Sequence, residues 1–191
     1  MGALRPFCFY GRGLRPFLYQ VMCMKNKAKL LAYASIIAAL YAVLTHLQNI
    51  LLPGSATWAI QMRLSEAMCI LCFFTPAAPM GLAIGCLLFN MTFAAALPLD
   101  FLVGTLATYL SGKCMWQLRK VMIYNIPVPG LLMPALWNAV LVGGELALYI
   151  GGGFWLNGLY VAIGEAAVLL TLGTALYLVM KKRRLDVLLF D

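Results

Sequence analysis

Charge is what this chain has least of. Lys, Arg, Asp and Glu together make up 10% of its 191 residues, while 64% are hydrophobic. A soluble domain carries about 25% charged residues, so this chain cannot cover a water-facing surface. Its mean hydropathy of +0.92 places it in a bilayer, and at this length one compact membrane unit follows. Acid is the scarcer sign, with six Asp and Glu against 14 Lys and Arg. The surplus base sits in short clusters at segment ends, which fits retention on the cytoplasmic side of a membrane and not a nucleic-acid-binding face. Histidine is scarcer still. One His and scattered Cys cannot supply a zinc site, so no metal is expected. A nucleotide loop is missing too: Ala107-Thr-Tyr-Leu-Ser-Gly-Lys-Cys114 departs from G-x-x-x-x-G-K-[ST] at its first and last positions and lies inside an apolar run. No nucleophile–base constellation is evident, so an enzyme is not expected. If such a chain accumulates a ligand, the energy must come from a partner or an ion.

Six cysteines are present, but they do not form a disulfide framework. Cys69 and Cys72 make a C-x-x-C inside an apolar run, without the basic neighbours that create a reactive thiolate. They read as small buried hydrophobes. Near the N-terminus Leu4-Arg-Pro-Phe7 recurs as Leu14-Arg-Pro-Phe17, and no small-residue cleavage site follows, so the segment is not a signal peptide. Met24 before Lys25-Asn26-Lys27 looks the more natural start. Residues 1–23 are therefore expected to be a disordered extension or a misassigned start, 24–180 the membrane domain and 181–191 a basic cytoplasmic tail.

A helix needs about 20 apolar residues to cross the hydrocarbon core. The apolar runs are Leu30–Leu52, Ile60–Thr75, Pro79–Leu97, Asp100–Leu118, Gly130–Ile150 and Trp155–Met180, broken by Pro and Gly. The expectation is an all-α integral membrane protein with six transmembrane helices. Lys25, Lys27 and Lys29 precede the first run, Arg119 and Lys120 follow the fourth, and Lys181-Lys-Arg-Arg184 follows the sixth. Six spans put all three clusters on one side, so both the N- and C-termini are expected to be cytoplasmic. Arg63 is then the one basic residue in the outer loops.

The polar residues inside these runs gather in the outer half. Gln61, Arg63 and Glu66 open the second run, which is too short to lift them clear of the membrane. Asn138 and Glu145, seven apart, share a face of the fifth run; Glu165 lies about 15 Å down the sixth. Asn90 and Asn138 fit either interhelical hydrogen bonding or ligand contact. Asp100 fits a helix cap, and Trp58 and Trp155 fit interfacial aromatics. Three glutamates against one arginine leave excess negative charge, which suggests an outward-opening pocket for a donor-rich or cationic ligand. On the first run, Ala34, Ala38 and Ala42, with Ser35 and Ala39 beside them, would let another helix approach closely, either within the chain or from a partner.

The order of motifs resembles the queuosine-precursor transporter family (QueT type), substrate-binding S components of energy-coupling factor transporters. The resemblance runs from Met24 to Met180. It rests on Gln61-x-Arg-Leu-Ser-Glu66, Gly81-Leu-x-x-Gly-Cys-Leu-Leu-x-Asn90, Asn138-Ala-x-x-x-Gly-Gly-Glu145 and Tyr160-Val-Ala-Ile-Gly-Glu165. It implies a multi-pass protein of the bacterial cytoplasmic membrane, partnered by a transmembrane T component and two ATPases. The ATP would be used by those partners, with no cofactor on this chain. It implies docking of Ala34, Ala38 and Ala42 on the T component, and a deazaguanine-type ligand. For such a base the candidate contacts are Trp58, Gln61, Arg63, Glu66, Asn90, Asn138, Glu145, Tyr160 and Glu165, with Glu145 or Glu165 on the base edge. An S component for another vitamin or nucleobase, or a stand-alone ion-coupled carrier, are the rival expectations.

Overall fold

The computed structural model describes residues 16–53, 63–93 and 97–190. Of the extension expected at residues 1–23, residues 1–15 lie outside the described residues, as do the candidate contacts Trp58 and Gln61, while residues 16–23 open the first helix. The described chain is all-α: α1 (Pro16–Leu51), a 3₁₀ helix (Leu64–Phe73), α2 (Ala78–Thr92), α3 (Asp100–Leu118), the short α4 (Val128–Leu131), α5 (Met133–Tyr149), α6 (Phe154–Val168), a π-helical turn (Leu169–Gly173), α7 (Thr174–Lys182) and α8 (Leu185–Phe190). No strand forms among the described residues; there is one isolated bridge, between Ile123 and Ile126. The breaks have local causes. Prolines sit in the first turns of α2, α4 and α5, where a missing N–H costs nothing. Gly151, Gly152 and Gly153 all adopt φ near +86° between α5 and α6, a conformation that only glycine takes freely.

The expectation of six spanning helices is overturned. Among the described residues three helices are long and apolar enough to cross a membrane: Lys27–Leu51, Val128–Tyr149 (α4 and α5) and Phe154–Lys182 (α6 to α7). The second run forms a 3₁₀ helix of ten residues, about 20 Å long at that helix's rise, against a core of about 30 Å. The third run yields 15 helical residues. The fourth, α3, has 19 residues but carries Asp100, Thr105, Thr108, Ser111, Lys113 and Gln117, which dilute its hydropathy. An apolar run in the sequence is not the same quantity as helical length in the fold.

Contacts fix the direction of each element. Gly81 and Gly85 of α2 lie against Ala34 and Ala38 of α1, so these two run the same way. The 3₁₀ helix runs against them, pairing Ser65 with Thr45 and Glu66 with Tyr41. Gly104 faces Asn90 and Gly112 faces Pro79, so α3 opposes α2. Trp137 reaches Cys114, and Gly143 of α5 lies on Gly158 of α6. Tyr177 of α7 meets Phe73 edge-on at 5.8 Å. The bundle consequently has a polar end, where α1 stops and α3 and α6 start, and a basic end holding Lys29, Arg119, Lys120 and Lys181–Arg184.

Burial is inverted relative to a soluble helix. On α1, Ile36, Leu40, Val43 and Ile50 face outward, while Tyr41, Thr45 and Gln48 are buried. An apolar exterior around polar interior groups is what a lipid solvent selects. The α1–α2 contact is close: a Cβ at Gly85 would lie 2.7 Å from the Ala38 carbonyl oxygen, and one at Gly81 the same distance from that of Ala34. Ala34 and Ala38 are thus packed inside the chain, with Ala42 half-buried. The small residues that face outward from α1 are their neighbours Ala32, Ser35 and Ala39.

Candidate functional site

The polar end is assembled from α1 inward. Tyr41, Thr45 and Gln48 recur at spacings of four and three, one face of a helix. Each engages the chain that follows Arg63. Gln48 Oε1 accepts from the Leu64 N–H at 2.7 Å, serving an N–H that the start of the 3₁₀ helix leaves without an internal partner. The Thr45 hydroxyl lies 2.8 Å from Ser65 Oγ. The Tyr41 hydroxyl donates to Glu66 Oε1 at 2.6 Å, and the Cys69 thiol to Glu66 Oε2 at 3.0 Å. Glu66, fully buried, therefore has both oxygens engaged. The 3₁₀ winding makes this possible: residues three apart eclipse one another, which stacks Glu66 over Cys69 and Cys72. Those two cysteines are buried and free, and Cys69 acts as a donor as well as a packing group.

Glu165 is engaged as well. Asn138 Nδ2 lies 2.7 Å from its Oε1 and 2.8 Å from its Oε2, joining α5 to α6 near the close Gly143–Gly158 approach. Arg63 is buried in extended backbone just before the 3₁₀ helix. Its guanidinium lies 4.0 Å from Cys86 Sγ and in the electrostatic reach of Tyr41, Asp100 and Glu66.

Glu145 is different. It is buried on α5 with its carboxyl against that of Asp100 and within the field of Arg63, yet no N–H or hydroxyl reaches either of its oxygens. Asn90 donates through Nδ2 to the Asp100 carbonyl oxygen at 2.8 Å, leaving its Oδ1 without a partner. Every unanswered buried side-chain atom among the described residues is an oxygen that accepts: Oε1 and Oε2 of Glu145, Oδ1 of Asn90 and Oδ1 of Asn49. Buried acceptors without donors cost about 1–3 kcal/mol each and are uncommon, so a site of this kind is complementary to donors.

Of the residues singled out in the sequence, Arg63, Glu66, Asn90, Asn138, Glu145 and Glu165 are brought together and buried. Tyr160 is half-buried on α6, and Trp155 is 85% exposed, away from this cluster. Asp100, taken as a helix cap, is a buried fourth carboxylate that also receives the Leu97 N–H at 3.4 Å. Tyr41, Thr45 and Cys69 were missed. The signal for the first two was the polar spacing on α1, ending at Gln48. Among the described residues no group of three His, Cys, Asp or Glu is placed to hold a metal ion.

A family model described as QueT transporter matches residues 31–182. No curated protein and no solved structure matches the chain. The matched stretch runs from the start of the apolar exterior of α1 to the end of α7 and contains all four buried carboxylates, Arg63 and both amides that accompany them. The chain is a membrane protein and belongs to the QueT transporter family.

Proposed function

We propose that the chain is the substrate-binding S component of an energy-coupling factor transporter, which captures a deazaguanine-type queuosine precursor at the polar end. The observation that supports this most is the set of unanswered acceptors at Glu145 and Asn90. A guanine-like edge presents a ring N–H beside an exocyclic amine, which a carboxylate accepts as a bidentate pair. Glu145 suits that role better than Glu165, whose oxygens already face Asn138. Arg63 would serve the carbonyl edge, and Asp100 a cationic aminomethyl arm. Tyr160 would stack on the base, with Trp58 and Gln61 completing the candidate contacts.

Uptake would be powered by two ATPases through a T component, in a bacterial cytoplasmic membrane with the basic end inside. Since Ala34 and Ala38 are packed on α2, docking would use the outward flank of α1 at Ala32, Ser35 and Ala39 together with Ala42. The reading excludes catalysis on this chain. A stand-alone ion-coupled carrier would use buried carboxylates as a proton relay; Glu66 and Glu165 are held by Tyr41, Cys69 and Asn138, which leaves Glu145 and Asp100 for that rival role. The test is reconstitution. Alone in liposomes the chain should bind a deazaguanine without accumulating it, and accumulation should require the T component, the ATPases and ATP. Uphill uptake by the chain alone would overturn the reading.

A further inference from the structure

Two features at the basic end play no part in the transport reading. The first is α8. α7 ends at Lys182, and Arg184 adopts φ +53°, a left-handed conformation that turns the chain instead of extending the helix into water. α8 then lies back on the bundle. Lys181 Nζ donates to Asp186 Oδ2 at 2.9 Å, Phe190 meets Tyr33 edge-on at 5.5 Å, and Leu185 and Phe190 pack against the core. The other side of α8 presents Leu188, 78% exposed, and Leu189. Lys181, Arg183, Arg184, Asp186 and Leu188 line one groove, so base and apolar surface adjoin.

The second feature is the turn after α3. Ile123 and Ile126 exchange both backbone hydrogen bonds, at 2.8 and 3.0 Å, around Tyr124 and Asn125 at φ 50° and 64°. This is a two-residue hairpin turn of the kind that usually holds Asn-Gly. Here Tyr124 occupies the tip, 94% exposed, with Val121, Met122 and Ile123 exposed beside it and Arg119 and Lys120 just before it. Both features adjoin the ends of helices long and apolar enough to cross a membrane, Val128–Tyr149 and Phe154–Lys182.

We propose that the basic end is a binding surface for anionic phospholipid, with the 121–126 turn and α8 seated at the headgroup–acyl boundary and Lys182, Arg183 and Arg184 paired with lipid phosphates. In water the exposed Leu188, Leu189 and Tyr124 would be solvated at a cost beside a dense positive charge. At an anionic interface both halves are satisfied, apolar groups by acyl chains and cations by phosphate. Charge complementarity selects this occupant. The acid in the groove, Asp186, is already paired with Lys181, so the neighbouring cations face outward in surplus.

The experiment is native mass spectrometry of the purified chain with phosphatidylglycerol, phosphatidylcholine or glycerol phosphate added. The wild-type chain should retain phosphatidylglycerol at least ~10-fold better than phosphatidylcholine, since each cation near a surface adds to the attraction. Lys182→Gln with Arg183→Gln should remove most of that preference. Raising the salt to about 1 M, where screening acts within ~3 Å, should weaken it in the wild type without any mutation. Equal retention of the two lipids, or a preference untouched by both salt and substitution, overturns the proposal. Displacement of phosphatidylglycerol by an equal concentration of glycerol phosphate would reassign the groove to a soluble phosphate and overturn it as well.

Discussion

Glu66 and Glu165 on one side of the polar end, and Glu145 with Asn90 and Asp100 on the other, differ in how their oxygens are used. The first two are held by donors from other elements: Tyr41 and Cys69 for Glu66, Asn138 for Glu165. No N–H or hydroxyl reaches the oxygens of Glu145 or Asn90 Oδ1, and Glu145 faces another acid, Asp100. All of these groups are buried to a similar degree, so burial does not separate them; partnership does. A buried carboxylate with both oxygens engaged ties helices together, whereas one that no protein N–H or hydroxyl reaches keeps its acceptor capacity.

The comparison can be broken at its engaged side first. Glu66→Ala strands the Tyr41 hydroxyl and the Cys69 thiol and opens a cavity between α1 and the 3₁₀ helix. It should cost about 3–5 kcal/mol, read as a large drop in the thermal midpoint of the purified protein. Asn138→Leu leaves Glu165 buried without its donor and should cost about 2–3 kcal/mol in the same measurement. Tyr41→Phe removes a single donor from a carboxylate that keeps Cys69, and about 1–2 kcal/mol is expected. Glu145→Gln should have the smallest effect on stability, about 1 kcal/mol or less, because no N–H or hydroxyl donor is stranded and the shape is kept. A stability loss for Glu145→Gln equal to that of Glu66→Ala would erase the distinction between the two sides.

The sequence made one level of this organisation legible and hid the next. Arg63, Glu66, Asn90, Asn138, Glu145 and Glu165 stand out because any polar group is conspicuous in so apolar a chain, and the bundle does collect them. Their partners were hidden, since Tyr41 and Glu66 lie 25 residues apart and Asn138 and Glu165 lie 27 apart, and pairing across such separations is decided by packing. The all-α class followed from the apolar runs, but the number of spans did not. Hydropathy counts apolar residues and is blind to the 3₁₀ winding of Leu64–Phe73 or the polar dilution of α3. The small residues of α1 had a related ambiguity. Ala34 and Ala38 alternate with Ala32, Ser35 and Ala39, so two faces of one helix carry the same signal. Which one meets α2 is settled by Gly81 and Gly85, whose missing side chains admit only the first.

The most direct test of the account is the affinity of Glu145→Gln for an aminomethyl deazaguanine, measured by calorimetry beside Glu66→Ala and with the thermal midpoint of each protein. The account predicts affinity at least ~10-fold lower for Glu145→Gln at a little-changed midpoint, a loss mainly of binding. Wild-type affinity in Glu145→Gln would contradict it.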